Sequence, residues 1–297
     1  RARCQRIIQI HQHPPPLRRI GTRGHAFWWL PVAVARGLWQ RLAMHFGVRF
    51  FIAAFAFTLC AIGVARAQEQ PHGFVDSFAV LDESRWRIAD GWSNGSWTAN
   101  DWRRTQIRRI PSGIQITLGR NPGGSDKRFS SGELQSEDVY QYGYFETRMQ
   151  APRGSGLVTG FFTYTRPTGE NSWDEIDIEI LGRDTRSIQL TYFRNGQRHI
   201  ETIPLGFDAA EGLHTYGFEW RPERIRWYVD GRMVHEENGT NGPIPHRRQR
   251  LYLHLWNTDT LTEWLGRILP WEGPWRLNVS CVAYAPTYEN RSLCGEN

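Results

Sequence analysis

Glu175, Asp177 and Glu179 alternate with Ile176, Ile178 and Ile180 directly after Trp173 and Asp174. In an extended strand successive side chains point to opposite faces, so three carboxylates share one side and three isoleucines the other. The isoleucines fit a core. A merely wet acidic face explains the pattern poorly, because carboxylates about 6.6 Å apart repel by roughly 2.5 kcal/mol at an effective dielectric of about 20. Crowding of this kind raises the pKa of one member and sets a neutral acid beside a charged base. Glycoside cleavage uses that pair, with the carboxyl groups about 5 to 5.5 Å apart when anomeric configuration is retained. Backbones at positions 175 and 179 of a strand lie about 13 Å apart, so the two glutamates must lean together on a concave sheet. A hard cation would also suit three carboxylates. No calcium-loop pattern surrounds them, and no metal ligands are assigned.

The elements that must carry this strand are short alternating or aromatic-rich runs bounded by turn residues. They fall at 113–118, 142–149, 157–165, 175–180, 188–193, 215–220, 225–229 and 251–256,. Asp230-Gly231 and Asn195-Gly196 mark hairpins because a type I′ turn needs positive φ at both central residues, and Asn94-Gly95 marks a further turn,. Helical periodicity is confined to a turn or two near 208–213 and 260–265. The chain reads as an all-β sandwich or barrel.

The 297 residues include 14 Trp, 10 Tyr and 15 Phe, a bulky-core composition that also offers flat surfaces for sugar rings,. A formal charge of +6 points to nucleic acid only until it is located,. Ten arginines and no acidic residue lie at or before Ala67, and the remainder carries −4, so no nucleic-acid partner is expected. Residues 44–67 read as a signal peptide, with an apolar run at 50–64 and the small-x-small triplet Ala65-Arg66-Ala67,. That run is shorter than the roughly 20 residues of a spanning helix, so no stable membrane anchor is expected. Residues 1–43 are read as an unstructured extension, and 68–297 as one domain, secreted and monomeric. His11 and His13 beside a proline run are read as solvated. Of four cysteines, Cys281 and Cys294 follow the leader, and export favours a disulfide between them,.

Around the acidic strand, the segments GFFTYTRPTG, WDEIDIEILGRDT, LGFDAAEGLHTYGFEWRPERIRWYVDG, LHLWN and TEWLG resemble glycoside hydrolase family 16, in particular lichenases and exopolysaccharide endo-glycanases. The resemblance runs from about Phe74 to Tyr284. It implies a jelly-roll β-sandwich of two antiparallel sheets with a concave cleft, and retaining endo-hydrolysis of a β-1,3-1,4-glucan or related exopolysaccharide. It makes Glu175 the nucleophile, Glu179 the acid/base and Asp177 the residue between them that tunes their charge. Carried-over cleft positions are Asn94, Glu133, Phe162, Tyr164, Gln189 and Trp256. Gln135, Thr191, Phe193 and His254 stand where lichenases place Arg, Asn, Tyr and Asn, and Trp173 and Trp102 are candidate stacking surfaces. Asn100 and Ser131 replace the cysteines of a cleft disulfide. No cofactor is required; the family's structural calcium is disfavoured by Ser280 at the position of an Asp ligand. A lectin-like binding module and a transglycosylase on the same scaffold are the alternatives.

Overall fold

The computed structural model describes residues 71–168, 172–270, 273–289 and 292–295. The expected leader and extension, with His11, His13, Cys4 and Cys60, lie outside the described residues. In chain order the strands are β1 (Phe74–Asp76), β2 (Trp86–Ile88), β3 (Asn100–Trp102), β4 (Ile107–Ile110), β5 (Gly113–Arg120), β6 (Phe129–Ser131), β7 (Glu133–Ser136), β8 (Gly143–Gln150) and β9 (Leu157–Tyr164). They continue as β10 (Glu175–Leu181), β11 (Ser187–Arg194), β12 (Gln197–Pro204), β13 (His214–Arg221), β14 (Arg224–Val229), β15 (Arg232–Glu237), β16 (Arg250–Asn257) and β17 (Trp275–Ala285), with a 3-10 turn at Arg104–Gln106 and a short α-helix, α1 (Thr262–Leu265), among the described residues.

Two sheets form, in the order β12-β11-β10-β9-β16-β7-β2 and β15-β14-β13-β8-β17-β5-β6-β3, with β1 added on β17 and β4 on β5. Pairing is antiparallel apart from β3 with β6. The fold is an all-β jelly-roll sandwich. Asn195 (φ 52°) with Gly196 (φ 75°) joins β11 to β12, and Asp230 (φ 47°) with Gly231 (φ 72°) joins β14 to β15, the positive-φ pairs that type I′ turns demand,.

The core lies between the sheets. Ile176, Ile178 and Ile180 of β10, Leu190 of β11, Phe161 of β9 and Leu253 of β16 pack in one cluster with Phe145 of β8, Phe218 of β13 and Trp227 of β14. Each isoleucine contributes roughly 1.5–3 kcal/mol by leaving water. Trp227 also reaches across the sandwich and donates its indole N–H to the backbone carbonyl of Asp177 at 3.2 Å. The back sheet therefore grips the acidic strand at its middle residue.

Cys281 and Cys294 are bonded, closing a 13-residue separation. The clipped tail covers Glu146, whose Oε1 accepts from Ser292 Oγ at 2.7 Å and from the Cys294 N–H at 2.6 Å. By loop-closure entropy, replacing both cysteines with serine is expected to remove about 3 kcal/mol of stability. Urea unfolding of the double variant, compared with the oxidised parent, measures this.

Candidate active site

The outer face of the seven-stranded sheet collects the expected residues because paired strands align their side chains face by face. β10 lies between two full-length partners. Glu175 pairs with Tyr164 and Phe193, Asp177 with Phe162 and Thr191, and Glu179 with Gly160 and Gln189. One strand further, Tyr252 pairs with Phe162 and His254 with Gly160, and then Gln135 with Tyr252 and Glu133 with His254. Residues from position 133 to 254 thus meet on one surface.

Exposure rises along the acidic row, from 2% at Glu175 through 5% at Asp177 to 9% at Glu179. Glu175 accepts the indole N–H of Trp173 at 2.8 Å and a hydrogen bond from Asp177. Burial first, then the charges of Glu175 and Glu179, pushes Asp177 well above the usual carboxylate range, so Asp177 holds a proton and donates it. Burial and the neighbouring Glu179 also push Glu175 up, to about 8, with the hydrogen bonds from Trp173 and Asp177 opposing. Those two hydrogen bonds favour the charged form of Glu175 without outweighing its burial,. Burial pushes Glu179 up to about 7, with Arg198 opposing. All three carboxyl groups of the row are thus pushed up, so protons are shared along it near neutral pH.

Other expected positions divide into two groups. Thr191 Oγ1 and the Tyr164 hydroxyl, both buried on this face, have no hydrogen-bond partner among the described residues. The remaining polar groups are engaged with one another. Gln135 Nε2 donates to Glu133 Oε1 at 2.8 Å, His254 Nδ1 lies 3.1 Å from Glu133 Oε2, Asn94 Oδ1 accepts the Trp102 indole at 3.0 Å, and Gln189 Oε1 accepts that of Trp264 at 2.7 Å. Trp173 and Phe193 pack together at 5.4 Å, and Phe162 stacks on Tyr252 at 4.9 Å.

Two tryptophans of the expected set are almost wholly buried. Trp102 is fully buried and stacks on His254 at 5.7 Å. Trp256 is 1% exposed and packs edge-on against Trp97 at 5.2 Å, with Trp264 at 6.1 Å. Both belong to one buried cluster apart from the inter-sheet core. The residues that sequence reasoning missed are Tyr252, Gly160 and Trp264. Strand parity around His254 points to Tyr252, and a glycine inside an apolar strand signals a close approach at Gly160. Trp264 has no such signal.

Asp174 fixes the entry to the acidic strand. Its carboxylate, wholly buried, accepts the backbone N–H groups of Asn195 (2.8 Å), His246 (3.0 Å) and Arg247 (3.1 Å) and the guanidinium groups of Arg247 (3.0 Å) and Arg194 (3.3 Å). Burial alone would raise its pKa; the Arg247 side chain and the three N–H groups outweigh it and hold the group at about 2. Removing one side of a buried pair costs about 3–5 kcal/mol, and Asp174→Ala is expected to lose that much in a urea melt. Because the folded pKa is depressed, this contribution is present above the unfolded value near 4 and is lost as pH falls towards 2,.

Residues 94–272 match the family model described as glycosyl hydrolases family 16. The chain belongs to that family. This glycoside hydrolase is 44% identical over 195 residues to a beta-glucanase of Acetivibrio thermocellus, covering 65% of this chain and 57% of that protein. It is 36% identical over 214 residues to the endo-1,3-1,4-beta-glycanase ExoK of Rhizobium meliloti, covering 71% of this chain and 78% of that one. The solved Bacillus licheniformis beta-glucanase superposes with a TM-score of 0.67 at 36% identity, covering 73% of this chain and 99% of the other. The hydrolase is thus lichenase-like in sequence and in fold. Among its described residues no group of three His, Cys, Asp or Glu side chains is arranged to hold a metal ion, and no helix is long and apolar enough to cross a membrane.

Proposed function

We propose that the protein is a secreted, retaining endo-glucanase acting on β-1,3-1,4-glucan or a related bacterial exopolysaccharide. The observation that carries this reading is the carboxyl trio on one face of β10, in which Glu175 accepts hydrogen bonds from Trp173 and Asp177 while the more exposed Glu179, pushed up to about 7, can carry a proton near neutral pH. Glu175 attacks the anomeric carbon as the bond to the departing oxygen breaks, and the proton of Glu179 passes to that oxygen. Water then attacks the same carbon, gives its proton to Glu179 and releases Glu175 as a carboxylate. Asp177 keeps its proton throughout and orients Glu175. Both reactive groups are side chains, so the reaction needs no cofactor.

The unengaged Thr191 and Tyr164 hydroxyls supply hydrogen bonds to sugar. The catalytic domain is taken to begin at residue 68 and to act as a monomer after removal of the leader. Incubation with lichenan, laminarin, xyloglucan and succinoglycan, followed by a reducing-end assay, tests the reading. Cleavage of at least one is expected. Binding of one without cleavage of any would favour the lectin-like alternative, and transfer to added oligosaccharide in preference to water would favour the transglycosylase.

A further inference from the structure

Glu133 and His254 are both carried-over sugar positions, yet they bind each other. Glu133 is 3% exposed and both its oxygens are engaged, one by Gln135 and the other by His254 Nδ1. A carboxylate only accepts hydrogen bonds, so Nδ1 must carry the hydrogen, and in the neutral ring Nε2 is left with a lone pair. The ring cannot turn away: Trp102 stacks on it at 5.7 Å with planes 13° apart, and Phe162 packs against it at 4.7 Å. Nε2 lies over Gly160, only 2.5 Å from where a Cβ would stand. Gly160 is the direct neighbour of Glu179 on β10 and of His254 on β16. The missing side chain is the gap that admits the imidazole between its own strand and the acid.

We propose that Glu133 is a positioning residue rather than a sugar ligand, and that it fixes His254 as a single hydrogen-bond acceptor, at Nε2, for one hydroxyl of the sugar unit beside Glu179. The substrate is therefore read at this point by a group that accepts and cannot donate, whereas an amide there would do both. A site that accepts one particular hydroxyl rejects sugars that turn it elsewhere, because the buried nitrogen is left unpaired. The inference deepens the proposed function and rests on it for the identity of the ligand. The tautomer itself does not depend on activity.

Long-range nitrogen–proton NMR of the imidazole in the free enzyme reads the tautomer, and kinetics on the best-cleaved glucan read its consequence. The wild type is expected to show a protonated Nδ1 and a bare Nε2 at His254. Glu133→Gln, which can donate as well as accept, is expected to release that preference and to lower kcat/KM about tenfold, the worth of one hydrogen bond, mainly through KM. Gly160→Ala keeps both partners but displaces the ring, and should give a loss of the same size with the Nδ1–H tautomer retained. A wild-type ring protonated at Nε2, whether alone or together with Nδ1, would overturn the proposal, as would Glu133→Gln and Gly160→Ala variants that both keep kcat/KM within about twofold. A wild type that cleaves no glucan but shows the Nδ1–H tautomer would sink the proposed function and leave the positioning role of Glu133 standing.

Discussion

Replacing Glu175 with alanine is expected to lower kcat/KM on the best glucan by about 10⁴-fold or more, because the group that forms the covalent intermediate is removed. The cut-down side chain leaves a small void facing the anomeric carbon. Added azide should enter it, attack from the face that Glu175 used and release the glycosyl azide of inverted configuration. That product, identified by its anomeric proton coupling, separates loss of a nucleophile from loss of fold. Glucan affinity in the Glu175→Gln variant should stay within a few-fold of the parent. Unchanged hydrolysis by Glu175→Ala would remove the reading altogether.

Glu179→Gln is expected to cost about 10²–10⁴-fold on glucans, the usual worth of general acid catalysis, and far less in the first step with a dinitrophenyl glycoside whose leaving group needs no proton. The pH profile carries the same information. Glu179 must be protonated to act, and burial holds its pKa at about 7, so kcat/KM should fall as pH rises through that value. On the other side Glu175 must be charged, and because burial and Glu179 push its pKa up to about 8, activity should already be falling on the acid side near neutrality, so the two limbs overlap. The parent should give a narrow bell, and Glu179→Gln should lose its alkaline limb with the activated substrate. An alkaline limb unchanged in that variant would assign the proton to another group.

The acidic strand was legible because one feature, alternation, supplies both the core face and the reactive face. The hairpins at Asn195-Gly196 and Asp230-Gly231 were legible because their backbone angles leave few residue choices. β17 escaped although it is the longest strand. Its inward residues are Trp275, Leu277 and Val279, but a register shift between Val279 and Cys281 moves the inward set to Val282 and Tyr284, and a period of two cannot be followed across it. β12 escaped because most of its residues are exposed, leaving no apolar stripe. The site's supports were hidden for a different reason. Asp174 is held by residues 20 to 73 positions away, and Glu133 meets His254 across 121. Such pairings exist only once the sheet has formed. Family likeness named several of these residues, but it did not foresee that Glu133 and His254 would be bound to each other.

β10 is flanked on both edges by long strands and is held from behind by Trp227, so the spacing of the three carboxylates is set by ladder hydrogen bonds instead of by a loop. A reactive centre built into an interior ribbon of a sheet cannot fray on its own,. Heat inactivation should therefore track global unfolding, with no earlier loss of catalysis, and amide protons along β10 should be among the slowest to exchange. Surrounding segments are free to drift in sequence and reshape what is bound, while the centre that breaks the bond is inherited with the scaffold.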